Sequence, residues 1–190
     1  MTAVVILAAG ASRRLRRPKQ MERLGAETLL GRAVRVAGES GLGTVWAVVD
    51  AADAVVVGEA RRLGCEVVLN GEAGEGMAAS IRAGVRALGG EVAGVVVMTC
   101  DQPAVSAAHL RGLAEGAGEV VVASAYAGRR GVPAYFPARV FGALMKLRGD
   151  AGARELLRGA RAIALPDGEL DVDTEEVLAR ARVLFGGELA

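Results

Sequence analysis

The 190-residue chain sets 23 Lys and Arg against 22 Asp and Glu, a net charge of +1, which argues against general affinity for nucleic acid or an anionic membrane. Hydrophobic residues make up 52% and aromatics 3%, with 27 glycines, a balance that favours α/β layers over a β-sandwich. Two cysteines and one histidine, none at ligand spacing, exclude a zinc centre and a Cys/His or Ser/His nucleophile system.

In chain order, Ala3–Leu7 (AVVIL) reads as a buried strand. Thr28–Ser40 reads as a helix, with Leu29, Leu30, Ala33, Val34 and Ala37 at helical spacing and Thr28 as its N-cap. Val45–Val49 is the next strand, and Glu59–Leu63 ends the following helix at Gly64. Glu66–Leu69 is a third strand, Met77–Leu88 a helix, Val95–Met98 a strand and Ala107–Glu115 its helix. Strands without inside/outside alternation are covered on both faces, which predicts a mostly parallel, doubly wound sheet in a three-layer α/β/α domain spanning residues 1–190. After Val120–Ala125 the rhythm changes. A Gly/Pro-rich segment (residues 128–137) is followed by helical stretches at Arg139–Leu147 and Ala151–Leu157, a short strand near Ile163–Leu165, an acidic turn and a helix from Glu175.

Three segments carry chemistry. The loop LAAGASRRLRRPK, Leu7 to Lys19, places five basic residues within the seven from Arg13 to Lys19. Exposed backbone N–H groups around Gly10, with Arg and Lys, suit a triphosphate, and the loop leaves the carboxyl end of a strand, where open α/β sheets bind ligands. The alternatives are a solvated basic loop or a nucleic-acid patch, and the latter lacks interleaved aromatics. Neither G-x-G-x-x-G nor G-x-x-x-x-G-K-[ST] occurs, so a dinucleotide fold and a P-loop are unsupported. Cys100-Asp101-Gln102-Pro103 ends a buried strand; in a 3-2-1-4 strand order Asp101 faces the basic loop, as a Mg²⁺ ligand or as a turn or N-cap residue. The acidic turn Asp171-Val172-Asp173-Thr174 offers further carboxylates, or simply a cap for the last helix.

With these blocks in view, the chain resembles the molybdenum cofactor cytidylyltransferase branch of the glycosyltransferase-A-like nucleotidyltransferases. The resemblance runs through LAAGASRRLRRPK, Asn70 with GMAASIRAG (Gly76–Gly84), CDQP, GRRGVPAYF, LRGDAGARELL and DVDT. It implies CTP, or another NTP, as donor and molybdopterin as the phosphorylated small-molecule acceptor, with a molybdoenzyme as a client; the alternatives are another small phosphorylated acceptor (a phosphocholine, a phospholactate or a sugar phosphate) or a non-catalytic nucleotide-binding accessory of a molybdoenzyme. It further implies that Leu7, Ala8, Ala9 and Gly10 contact base and ribose, Arg14 and Lys19 the phosphates, and Asn70 and Ser80 the nucleoside. Asp101 would bind Mg²⁺ with Asp171 or Asp173, and Gly131, Pro133, Asp150 and Arg154 would shape the acceptor side. Three departures stand out. Leu15-Arg16 replaces a usual Met-Gly, so the loop's bend is expected to differ. Ala78 and Ala79 replace serines. Glu175 and Val177 replace Pro and Asp.

The free thiols and the lack of a membrane-length apolar run or a secretory leader predict a soluble, cytoplasmic protein without nucleic-acid or membrane partners.

Overall fold

The apolar runs of the sequence become a seven-stranded sheet in this computed structural model, which describes residues 1–90, 92–150 and 152–187. In chain order come β1 (Thr2–Leu7), the basic loop with a 3₁₀ turn at Lys19–Met21, the short ribbon β2 (Arg23–Leu24) and β3 (Glu27–Thr28), and α1 (Leu29–Glu39). There follow β4 (Val45–Asp50), α2 (Ala54–Arg62), β5 (Glu66–Asn70), α3 (Met77–Ala87), β6 (Gly94–Thr99) and α4 (Ala107–Ala114). The remainder is β7 (Val122–Tyr126), β8 (Arg129–Pro137), α5 (Phe141–Leu144), α6 (Arg154–Leu157), β9 (Arg161–Ala164) and α7 (Glu175–Phe185).

The sheet order is β5-β4-β1-β6-β8-β7-β9. Its first four strands are parallel and carry the expected 3-2-1-4 arrangement, so the carboxyl ends of β1 and β6 lie side by side, with Leu7 opposite Thr99. The side-chain alternation of β1 splits the interior. Val4 and Ile6 join one core with α1, α2 and α4; Ala3, Val5 and Leu7 join another with α3, α5 and α6. Those two cores are the two interfaces of an α/β/α sandwich. At Gly84 a Cβ would meet Val5 Cγ1 at 2.6 Å, so its absence lets α3 settle against β1 and β4.

The Gly/Pro-rich segment is a strand. β8 lies antiparallel between β6 and β7, and the register slips between Ala123 and Ser124, leaving Val132 and Pro133 in a bulge. A proline without an N–H to donate is tolerated at that point. The two helical stretches after it are shorter than the sequence predicts: a 3₁₀ turn at Ala138–Val140 leads into α5, and α6 begins at Arg154, while residue 151 lies outside the described residues. Among the described residues no helix is long and apolar enough to cross a membrane.

A third, smaller core sits under the carboxyl edge of the sheet. Leu15 of the basic loop packs there with Leu24, Leu29, Leu170, Val172, Leu178 and Ala181. It binds the loop after β1 to the segment before α7.

Candidate active site

The basic loop is fastened at both ends. Ala8 N–H donates to Val48 O at 2.8 Å, extending the β1–β4 ladder past Leu7. Gln20, 3% exposed, reaches back from the 3₁₀ turn and donates from Nε2 to Ala8 O at 2.7 Å and Gly10 O at 3.0 Å. Ser12 Oγ accepts from the Lys19 N–H at 3.0 Å. Between these anchors the backbone turns through the left-handed region at Ser12 (φ 47°) and Arg16 (φ 57°). Arg16 thus takes a conformation that a glycine would adopt freely, with the strain an L side chain brings there. Ala8, Ala9, Gly10, Gln20 and Asp50 help to line a cleft of about 230 Å³ on this edge.

Asp101 follows β6 and is 7% exposed. It does not cap the next helix; Ser106 does that, accepting from His109 N. Its Oδ2 pairs with Lys19 Nζ, while its Oδ1 is buried with no hydrogen-bond partner. The acidic turn is brought to it by a backbone bond, Val172 N–H to Asp101 O at 3.0 Å, and by burial of Leu170 and Val172 in the third core. Thr174 caps α7 by accepting from Val177 N at 3.3 Å, which leaves the Asp173 carboxylate free for the loop. Lys19 Nζ lies 2.5 Å from Asp173 Oδ1 and 3.8 Å from Asp171 Oδ1. Arg14 Nη1 reaches Asp173 Oδ2 at 3.4 Å, but its side chain is 72% exposed. Arg17 pairs instead with Glu22 and Glu175, away from the cluster.

The electrostatics follow from this crowding. Burial opposes charge on Asp101, yet the Lys19 ammonium holds its carboxyl below the usual range. Burial likewise works against the Lys19 charge, and Asp101, Asp173 and Asp171 more than offset it, raising that ammonium's pKa. Partial desolvation and the adjacent Asp101 charge raise Asp171. One oxygen from each of Asp101, Asp171 and Asp173 lies within 4.8 Å of the others. An all-carboxylate set that includes an unsatisfied buried oxygen suits a hard divalent cation such as Mg²⁺ or Mn²⁺.

The remaining candidates divide into two groups. Asn70 ends β5 on the same edge of the sheet, and its Nδ2 donates to Ser80 Oγ at 3.1 Å while its Oδ1 accepts from Glu72 N at 2.9 Å. Both residues are buried, so their polar groups hold the β5–α3 turn; Ala78 and Ala79 beside them are buried as well. On the other side, Gly131 makes room for the Tyr126 hydroxyl, which would lie 2.2 Å from a Cβ there. Tyr126 Oη donates to Val132 O at 3.0 Å and accepts from Gln102 Nε2 at 3.3 Å, tying the Gly131–Pro133 segment to the CDQP turn. Asp150 lies instead with the first group, against Gly76 at the start of α3, and Arg154 opens α6 on the surface without an ion pair among the described residues. Gln20 and Gln102, which sequence reading passes over, are the side chains that hold these turns together. A neutral amide beside charged neighbours gives no signal until its tertiary partners are known.

Residues 4–166 match the MobA-like NTP transferase domain family. The purine catabolism protein PucB of Bacillus subtilis is 34% identical over 191 aligned positions, covering 90% of this chain and 91% of that protein. Rv0371c of Mycobacterium tuberculosis superposes with a TM-score of 0.81 at 30% identity, covering 96% of this chain and 97% of that one. In its complex with manganese the same protein matches at 0.75 and 29%, over 94% and 96% of the two chains. A nucleotidyl transferase from Methanothermobacter gives 0.84 at 25% identity, covering 97% of each.

Proposed function

Because the chain belongs to the MobA-like NTP transferase family and is a nucleotidyltransferase, we propose that it moves CMP from CTP onto the phosphate of molybdopterin, releasing pyrophosphate. The observation that carries the transfer is the meeting of Lys19, Asp101, Asp171 and Asp173 at the carboxyl edge of the sheet, beside a pinned loop of backbone amides. The choice of CTP and molybdopterin rests on the family blocks in the sequence and on Ala9, whose methyl is buried in the loop beside the cleft. In this reading the methyl leaves less room for a two-ring base than a glycine would.

An oxygen of the acceptor phosphate attacks the α-phosphorus in line; the new P–O bond forms as the bond to the β-phosphate oxygen breaks. A phosphate acceptor is already ionised at neutral pH, so the chain need not supply a general base. The arrangement agrees with this. His109 Nε2 is engaged with Ser124 Oγ at 2.7 Å, and burial pushes the Cys100 thiol far above its ordinary range. Asp101 with Asp171 and Asp173 would hold the divalent cation, which when bound supplies charge neutralisation at the phosphates. Lys19 and Arg14 offset charge developing on the departing pyrophosphate. Gln20 keeps the Ala8–Gly10 backbone in place, so positioning is set before substrate arrives. In this reading Gly131, Pro133, Asp150 and Arg154 serve the acceptor side, while Asn70 and Ser80, bonded to each other, act on the nucleoside side by shaping the β5–α3 turn.

The test is pyrophosphate release from each of the four NTPs, with molybdopterin and with simple phosphorylated acceptors. CTP with molybdopterin should give the highest kcat/KM. Ala9→Gly should narrow the preference for CTP over GTP, and a wild-type preference for GTP would defeat the cytidylyl reading.

A further inference from the structure

Lys19 occupies an unusual position for a phosphate-binding residue. Its side chain is only 12% exposed, and its ammonium lies within ion-pair distance of all three carboxylates of the cluster. It contacts Asp101 Oδ2 and Asp173 Oδ1 closely enough that those oxygens are its own coordination shell. The backbone explains why the side chain is aimed there. Lys19 N–H is held by Ser12 Oγ, and Gln20, the next residue, is pinned to Ala8 and Gly10. An octahedral cation such as Mg²⁺ uses about six oxygens at roughly 2.0–2.1 Å. It and the ammonium cannot both claim the same Asp101 and Asp173 oxygens, because two positive centres would then be in contact.

We propose that Lys19 is the cluster's built-in counter-cation, and that loading the divalent metal requires its ammonium to leave. In the free protein the tethered charge keeps three carboxylates from repelling one another, and it competes with metal by occupying their oxygens. A triphosphate in the loop gives the ammonium another anion to pair with, so nucleotide draws Lys19 off the cluster and opens it. Metal and nucleotide then bind with positive coupling, and by linkage each strengthens the other by the same factor. Asp101 Oδ1, buried without a partner beside the occupied Oδ2, is the oxygen left over by this arrangement. The proposal rests on the assignment of Asp101, Asp171 and Asp173 as the metal-binding set.

The test is direct binding of Mn²⁺ to the full chain, followed by electron paramagnetic resonance, without and with a non-hydrolysable CTP analogue. Lys19→Met keeps the length of the side chain and removes its charge. Without nucleotide this variant should bind Mn²⁺ at least about 10-fold more tightly than wild type, and the tightening caused by the analogue should largely vanish. Equal or weaker Mn²⁺ binding by Lys19→Met overturns the proposal. Asp101→Asn, measured alongside, keeps the two readings apart. If it loses Mn²⁺ while Lys19→Met gains none, the metal set stands and the competition fails; if it binds Mn²⁺ like wild type, the metal set itself is wrong and the proposal falls with it. A second measurement needs no variant. The chain has two lysines, Lys19 and Lys146. Saturating Mn²⁺ alone should raise the rate of amine acylation at Lys19 relative to Lys146, read by mass spectrometry, and an unchanged ratio contradicts displacement.

Discussion

Replacing Gln20 by Met keeps the bulk of the side chain and deletes the donor that pins the loop. Three bonds go: those donated by Nε2 to Ala8 O at 2.7 Å and Gly10 O at 3.0 Å, and the long one that Oε1 accepts from Ser12 Oγ at 3.5 Å. A buried acceptor left unpaired costs about 1–3 kcal/mol. Ala8 is buried and bears that cost in full, whereas Gly10 is exposed and finds water. The sum is about 2 kcal/mol, equivalent to a fall in Tm of about 4–8 °C for a chain of this size. If the loop relieves the loss by opening, the same energy appears as a decrease in kcat/KM of about 30-fold. Thermal melts and pyrophosphate-release kinetics on one preparation show how the loss divides. A variant with wild-type Tm and wild-type kcat/KM would refute the claim that Gln20 holds the loop in its working shape.

Asp101→Asn should lower kcat by about 100- to 1000-fold, the scale seen when a group stabilising transition-state charge is lost; its Tm should change little, because Lys19 keeps Asp173 as a partner. Arg16→Gly should raise Tm by about 1–4 °C, since relief of the left-handed strain (about 1–2 kcal/mol) exceeds the added freedom of the unfolded chain; calorimetry checks the sign. Burial lowers the pKa of His109, so its contribution to stability is complete above the unfolded value near 6.5 and is lost as the pH falls below it. Asp171, whose carboxyl is raised to about 8, contributes with the opposite sign over the same range, so the His109 slope is read as the difference between wild type and His109→Asn in urea melts from about pH 7.5 to 5.

Much of this site was visible in the sequence because it lies where parallel strands end. Uninterrupted apolar runs such as AVVIL and VVVMT can only be central strands, and a right-handed 3-2-1-4 winding then puts Leu7 beside Thr99 and Lys19 beside Asp101. β8 was illegible for the opposite reason. Its glycine and prolines are turn signals in isolation, and only the bulge opposite Ala123 and Ser124 makes Pro133 acceptable within a sheet. At Leu15-Arg16 the sequence gives no sign of what holds the bend; Arg16 adopts the left-handed conformation because Ser12, Gln20 and the burial of Leu15 in the third core anchor the loop around it. The acidic turn read equally well as a cap or as a ligand source. It is both, because Thr174 takes the helix and leaves Asp173 for Lys19.

The bond from Val172 to the Asp101 carbonyl, and the ion pair from Lys19 to Asp173 across 154 positions of sequence, set a timetable for synthesis. A ribosome makes the loop after β1 well before the DVDT carboxylates. The central strands can pair as they emerge, but a nascent chain has no complete charge cluster until the segment before α7 clears the exit tunnel and folds back over the loop. Partial translation products therefore present Arg14 without Asp173, and Lys19 with Asp101 alone of its three carboxylates. They should hold nucleotide as an anion without turning it over.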